Sequence, residues 1–186
     1  MSFSFKKDRQ KQLKSKKMYD ILINKKSVIV FSDRDIKEGQ SAVPSLMAIG
    51  RAHHFLIESG IRLKASLVSV SGEIRDAHDV ACHISYGASA VWPYLALEKV
   101  REIALQNENL DISTDEAQEN YRKSLNKGLL KIMSKMGIST YQSYNGAKIF
   151  DAVGLNSKFI ENYFTGTSSL IEGAGFEEII LSLIHI

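Results

Sequence analysis

The sequence predicts an α/β fold: a partial (β/α) barrel-like parallel sheet with outer helices. Three observations predict it. Short β-branched and aromatic runs alternate with amphipathic stretches. The connections are short, as in β-α-β units whose right-handed crossovers place helices outside the strands. The units number about four, too few to close an eight-stranded barrel, so the sheet is either a partial barrel or open.

Each element follows from its residues. Residues 8 to 24 read as an amphipathic helix with a solvated lysine-rich face and an apolar face of Met18, Tyr19, Ile21 and Leu22. Ser27 to Ser32, SVIVFS, is a continuous apolar run and hence a buried strand, with Asp33-Arg34-Asp35 as a polar loop at its carboxyl end. Pro44 suits the first turn of a helix, on which Leu46, Ile49, His53, Leu56 and Ile57 share a face and Gly60 is the stop. Leu63 to Val70 is the next strand, ending in Ser71-Gly72-Glu73. Asp76 to Tyr86 is helical and Gly87 stops it. Ala88 to Trp92 is a third strand, and Pro93 opens a helix from Tyr94 to about Gln106.

A polar loop from Asn107 to Ser113 follows. Ser113 with Glu116 forms a capping box for a helix carrying Ala117, Tyr121 and Leu125. A second short helix, Leu129 to Met136, ends at Gly137, and Ile138 to Tyr141 reads as a fourth strand. Leu129, Leu130, Ile132, Met133 and Met136 are expected in the core or an interface, with Tyr141, Tyr144 and Asn145 shaping the next turn. Helices are expected near Ala147 to Ala152 and over Ser157 to Tyr163.

The 186 residues, 44% hydrophobic and 24% charged, suit one soluble domain or a large piece of one. No run has the length needed to span a membrane, and no apolar h-region follows the basic start. The single cysteine, Cys82, fits a reducing cytosol, so a cytoplasmic location is expected. Residues 6 to 26 carry a net charge of +7, which leaves −4 for the rest. No aromatic residue interleaves with Lys11 to Lys17, so neither a nucleic-acid nor a membrane role is expected of this arm.

No residue set is equipped for catalysis, and no catalytic, cofactor or metal residue is assigned. His53 and His54 are neighbours on a helix and point about 100° apart. His78 and Cys82, four apart, share a face, but no HExxH or CxxC accompanies them. Cys82 lies in an apolar run and reads as an inert thiol. Thr165-Gly166-Thr167 and Glu172-Gly173-Ala174-Gly175 match neither phosphate-binding glycine motif and read as turns and helix caps. Asp33, Arg34, Asp35, Glu73 and Arg75 lie just past strand ends, where α/β proteins place their sites. An ion pair of Glu73 with Arg34 or Arg75 is the plainer expectation. A free-standing small-molecule binding module with its site at the Asp33 and Glu73 loops is the alternative.

Collinear segments point to a family. VIVFSDR (28–34), AVPSLMAIGRAHHFLIESGIR (42–62) and SGEIRDAHDVACHISYGASAVWPYLALE (71–98) come first. NYRKSLNKGLLKIMSKMGISTYQSYNGAKIFDAVGL (120–155) and NYFTGTSSLIEGAGFEEI (162–179) follow. Together they resemble the second half of the central domain of the glutamate synthase large subunit. The resemblance implies an α/β barrel-like unit between a glutaminase domain and an FMN barrel, supporting and partly lining the ammonia passage. It implies, for the whole enzyme, reductive transfer of the glutamine amide nitrogen to 2-oxoglutarate, with FMN and a 3Fe-4S cluster. The implied partners are the remaining domains (glutaminase, FMN barrel, β-helix) and an NADPH-oxidising small subunit, or ferredoxin as donor. None of these catalytic parts is in this sequence, so a fragment inactive alone is expected.

Three positions depart from the family pattern. Trp92 stands where Asn is usual before Pro-Tyr, Asn145 where Arg is usual in Tyr-Arg-Gly-Ala, and Ser168 where Pro is usual. Residues 1–26 are expected to lead into the domain at 27–180. Residues 181–186, LSLIHI, are expected to be a non-native tail, β-prone and aggregation-prone if exposed.

Overall fold

The computed structural model describes residues 4–5, 27–37, 40–107 and 111–184, so the expected helix over residues 8 to 24 lies outside it. The elements run β1 (Ser4–Phe5), β2 (Ser27–Ser32), β3 (Ser41–Ala42), α1 (Ser45–Glu58), β4 (Ala65–Val70), α2 (Ala77–Ser85), β5 (Ala90–Trp92), α3 (Tyr94–Gln106), α4 (Thr114–Lys135), α5 (Tyr141–Tyr144), β6 (Ala152–Leu155), α6 (Ser157–Tyr163), β7 (Ser169–Ala174) and α7 (Phe176–Ile184). A 3-10 turn over Arg62–Lys64 replaces the expected start of β4.

The central sheet is parallel, in the order β2-β4-β5. Ser27 pairs with Ala65 and Ser32 with Val70, while Val68 pairs with Ala90 and Val70 with Trp92. Each β-α-β unit adds its strand on the same side of the last. β1 and β3 pair antiparallel, and β6 and β7 form a separate parallel pair with shifted register. Among the described strands there is thus an open parallel sheet with helices, not a closed barrel.

One face of the central sheet is the core. Ile29, Phe31, Ala65 and Leu67 pack against Ala48, Ile49, Ala52 and Leu56 of α1. The other face is not buried, because Val28 is 66% and Trp92 53% exposed. SVIVFS therefore alternates instead of being buried on both sides. A second cluster joins α2 and α4 through Val80, Ile84, Leu125 and Met133, with Tyr144 fully buried between them. A third gathers Met47, Tyr86, Phe159, Ile160 and Phe164.

The region after Ser113 departs most from expectation. Ser113 does cap α4, accepting from the Glu116 N–H, but α4 is one continuous helix rather than two. Within it Met133 is buried and Leu129 and Ile132 are partly buried, whereas Leu130 and Met136 are exposed. Residues 138–140 form no strand. Ile138 packs into the second cluster, and the Thr140 hydroxyl accepts from Ser143 N–H to start α5. No helix forms over 147–152, because Gly146 (φ 77°) and Lys148 (φ 52°) hold left-handed backbone that a right-handed helix cannot continue. Residues 172–174 lie inside β7 rather than in a turn, while Gly166 does form one. The described part of the tail, through Ile184, is helical in α7 rather than extended.

Candidate functional site

The carboxyl ends of β2 and β4 bring Asp33, Ser71 and Glu73 together, as their place in the sequence predicts. The Ser71 hydroxyl donates to Asp33 Oδ2 at 2.5 Å and the Gly72 N–H donates to the same oxygen at 3.0 Å. Asp33 Oδ1 is buried without a hydrogen-bond partner. Burial, then the neighbouring Asp33 carboxylate, push the Tyr94 phenol above its ordinary range.

Neither expected ion pair forms. Arg34 pairs instead with Glu98 at 3.7 Å and lies 4.9 Å over the Tyr94 ring. Arg75 contributes its backbone: its N–H donates to Asp79 at 2.9 Å and its carbonyl accepts from Tyr121. Glu73 Oε2 accepts from the Ser45 N–H at 2.7 Å and lies 2.8 Å from Ser45 Oγ. Pro44 offers α1 no side-chain cap, so Glu73 supplies one from the next loop. One oxygen each of Asp33 and Glu73 is thus engaged by the fold itself.

Sequence reasoning missed the next contact. Ser45 Oγ also lies 2.8 Å from His83 Nε2, while His83 Nδ1 lies 2.7 Å from the Asp79 carbonyl. A hydroxyl beside an imidazole is nucleophile-and-base spacing. Here, however, Ser45 is 7% and His83 4% exposed, and the group stitches α1 to α2. Ser45 and His83 are 38 positions apart, and the chain between them carries no local signal for it.

The two adjacent histidines part, as expected, with rings edge-on at 5.5 Å. His53 Nδ1 accepts from Arg62 Nε at 2.9 Å, and the same guanidinium donates to the carbonyls of Ala65 (2.6 Å) and Gly87 (2.8 Å). Burial, then Arg62, His54 and Lys148, hold His53 down at about 4, so the ring is neutral at neutral pH. Gly87 (φ 108°) must be glycine, since a Cβ there would overlap the His53 ring. Cys82 Sγ lies 3.5 Å from His78 Nε2. Burial, then Asp79 and Asp76, push its thiol up to about 11, an unreactive state.

The turn before β5 is held by side chains from the α4–α5 region. Tyr141 donates to Ser89 O at 2.8 Å and Ala88 O at 3.1 Å, and Asn145 Nδ2 donates to Ala88 O at 2.6 Å. Tyr144 donates to Ala81 O at 3.3 Å from inside the core. Ser168 donates to Asp151. Among the described residues no group of three or more His, Cys, Asp or Glu is placed to hold a metal.

The family model for the glutamate synthase central domain matches residues 7–156. The chain belongs to the glutamate synthase central domain family. The Bacillus subtilis glutamate synthase (NADPH) large chain is 43% identical over 153 residues, covering 82% of this chain and 10% of that one. The ferredoxin-dependent glutamate synthase 2 of Synechocystis is 44% identical over 165 residues, covering 82% and 11%. The glutamate synthase (NADH) of Schizosaccharomyces pombe is 43% identical over 154 residues, covering 82% and 7%. The chain spans about a tenth of the length of these curated relatives. A solved structure of DHODH from Eimeria tenella aligns at a TM-score of only 0.40 and 19% identity, over 62% of this chain and 25% of that one, too little to bear on fold or function.

The glutamate synthase family resemblance read from the segments between Val28 and Ile179 is therefore correct. The iron–sulfur cluster implied by the resemblance does not fit this stretch. A 3Fe-4S cluster needs three thiolates, and Cys82 alone is present with its proton firmly held. The glycines at 173 and 175 serve close packing: a Cβ at Gly173 would overlap the Gly154 backbone and one at Gly175 the Asn156 side chain.

Proposed function

We propose that this chain is part of a glutamate synthase large subunit, and that it acts as scaffold for ammonia passage between glutaminase and FMN sites. The parent enzyme converts glutamine and 2-oxoglutarate to two glutamates in the cytoplasm. The observation that carries this is the family match over residues 7–156, combined with polar groups that hold loops and helices together. The residues from 27 to 180 form the domain portion and residues 1–26 lead into it.

The barrel-like reading stays within the proposal. Successive β-α-β units that add strands in one direction place their helices on one face, as in barrels. The exposed face with Val28 and Trp92 then belongs against the remaining domains, which supply the FMN barrel, its cluster and the docking of an NADPH-oxidising subunit or ferredoxin.

Two experiments test the reading. The purified chain is expected to show no flavin absorbance and no glutamine-dependent oxidation of NADPH with 2-oxoglutarate; a yellow, active protein overturns it. Residues 28–155 grafted into the matching stretch of the Bacillus subtilis large chain are expected to keep its activity. A graft that folds and binds FMN but no longer couples glutamine hydrolysis to glutamate formation would show that this sequence does not serve the passage.

A further inference from the structure

Ser45 Oγ has one hydrogen and two acceptors in reach: Glu73 Oε2 and His83 Nε2, each at 2.8 Å. The far side of the imidazole fixes the count. A carbonyl only accepts, so the 2.7 Å contact with Asp79 O places a proton on His83 Nδ1. If His83 were neutral, Nε2 would be an acceptor, and either Nε2 or the Glu73 carboxylate would face the serine oxygen with no hydrogen between them. Both contacts become hydrogen bonds when one further proton enters the chain. That proton sits on His83 Nε2, which donates to Ser45 while Ser45 donates to Glu73.

We infer that Glu73, Ser45 and His83 form a proton-holding latch, in which an imidazolium and a carboxylate share one proton across a serine and so tie the start of α1 to α2. The surroundings are compatible. Glu73 comes from the segment after β4, Asp79 lies one turn back on α2, and α1 presents the uncharged Ser45; both carboxylates favour a charged imidazole. Burial of His83 opposes it and is the largest influence: even with the Asp79 carbonyl, Glu73 and Asp79 raising it, the imidazole is held below its ordinary range. What favours the charged ring is the geometry: two 2.8 Å contacts meet one hydroxyl, and the imidazolium's charge is then neutralised by Glu73 through Ser45 rather than left alone. Glu73 itself is exposed, whereas Ser45 and His83 are buried.

Imidazole nitrogen NMR on the 186-residue chain decides the matter, with His83→Gln assigning the signal. At pH 7 the His83 ring is expected to carry protons on both nitrogens. In Glu73→Gln, whose change is at an exposed side chain, the ring is expected to revert to the neutral Nδ1–H form. A neutral His83 ring at pH 7 in the unaltered chain overturns the latch, as does a Glu73→Gln ring that stays charged. Stability gives a second readout. A proton held more tightly in the folded state stabilises fully below the unfolded histidine pKa and is lost as pH rises through the folded value. That loss on the alkaline side is expected in the unaltered chain and absent in Glu73→Gln.

Discussion

Asn145 shows how a single departure from a family pattern can be absorbed. The amide that stands where arginine is usual donates to Ala88 O at 2.6 Å and to Ile84 O at 3.4 Å, so the turn before β5 keeps a donor without a charge. Asn145→Asp would place a carboxylate oxygen against those carbonyls. The expected cost is about 1–3 kcal/mol, read as a lower urea midpoint at unchanged slope. Asn145→Ala is expected to cost less, because Tyr141 still serves Ala88 O. His53 makes a second residue-scale prediction. Its folded pKa, about 4, lies below the ordinary 6.5, so the unfolded chain binds more protons between those values. Stability is then complete above pH 6.5 and falls as pH drops from 6.5 to 4, by at most about 3 kcal/mol and less where water reaches the ring. His53→Gln, which can still accept from Arg62, is expected to flatten that part of a pH–stability curve. The histidine's burial was readable from its place on the apolar face of α1. Its guanidinium partner was not, because Arg62 reaches it from beyond a glycine turn.

At the scale of elements, the caps were the most legible features and the tertiary crossings the least. Gly60, Gly87 and Gly137 all adopt the positive φ expected where a helix stops. Gly128 sits inside a helix, and sequence alone offers only a break there. The structure gives it another role: α4 passes α2 so closely that a Cβ at Gly128 would overlap the Cβ of Ala77. Gly128→Ala therefore sets two effects against each other. Helix propensity favours alanine by about 1 kcal/mol, whereas forcing a methyl into a filled contact typically costs about 1–3 kcal/mol. The net expectation is destabilisation in urea unfolding, relieved in the double variant with Ala77→Gly. A single variant more stable than the parent chain would mean that α4 can shift outward freely. The segment Ile138–Thr140 misled for the opposite reason. Its β-branched residues suit a strand, but Ile138 is drawn into the α2–α4 cluster and Thr140 is needed as a cap.

For the whole molecule, the most telling mismatch is β2. SVIVFS has the continuous apolar character of a parallel strand covered on both faces. In this chain only Ile29 and Phe31 are buried, while Val28 is 66% exposed. The sequence is written for a second layer, which the proposed function assigns to the other domains of a large chain. Val28, Val30, Ala90 and Trp92 then share one apolar sheet face, since Val30 pairs with Val68, Val68 with Ala90 and Val70 with Trp92. Exposed apolar patches of this kind promote association. The isolated chain is expected to sediment faster as its concentration rises, and Val28→Lys to shift it toward the monomer. Because Val28 makes little of the core, Val28→Lys is expected to leave the urea midpoint nearly unchanged, within about 0.5 kcal/mol. Monomeric sedimentation of the parent chain across the concentration series would show that the face is covered from within, and would remove the main physical support for a missing layer.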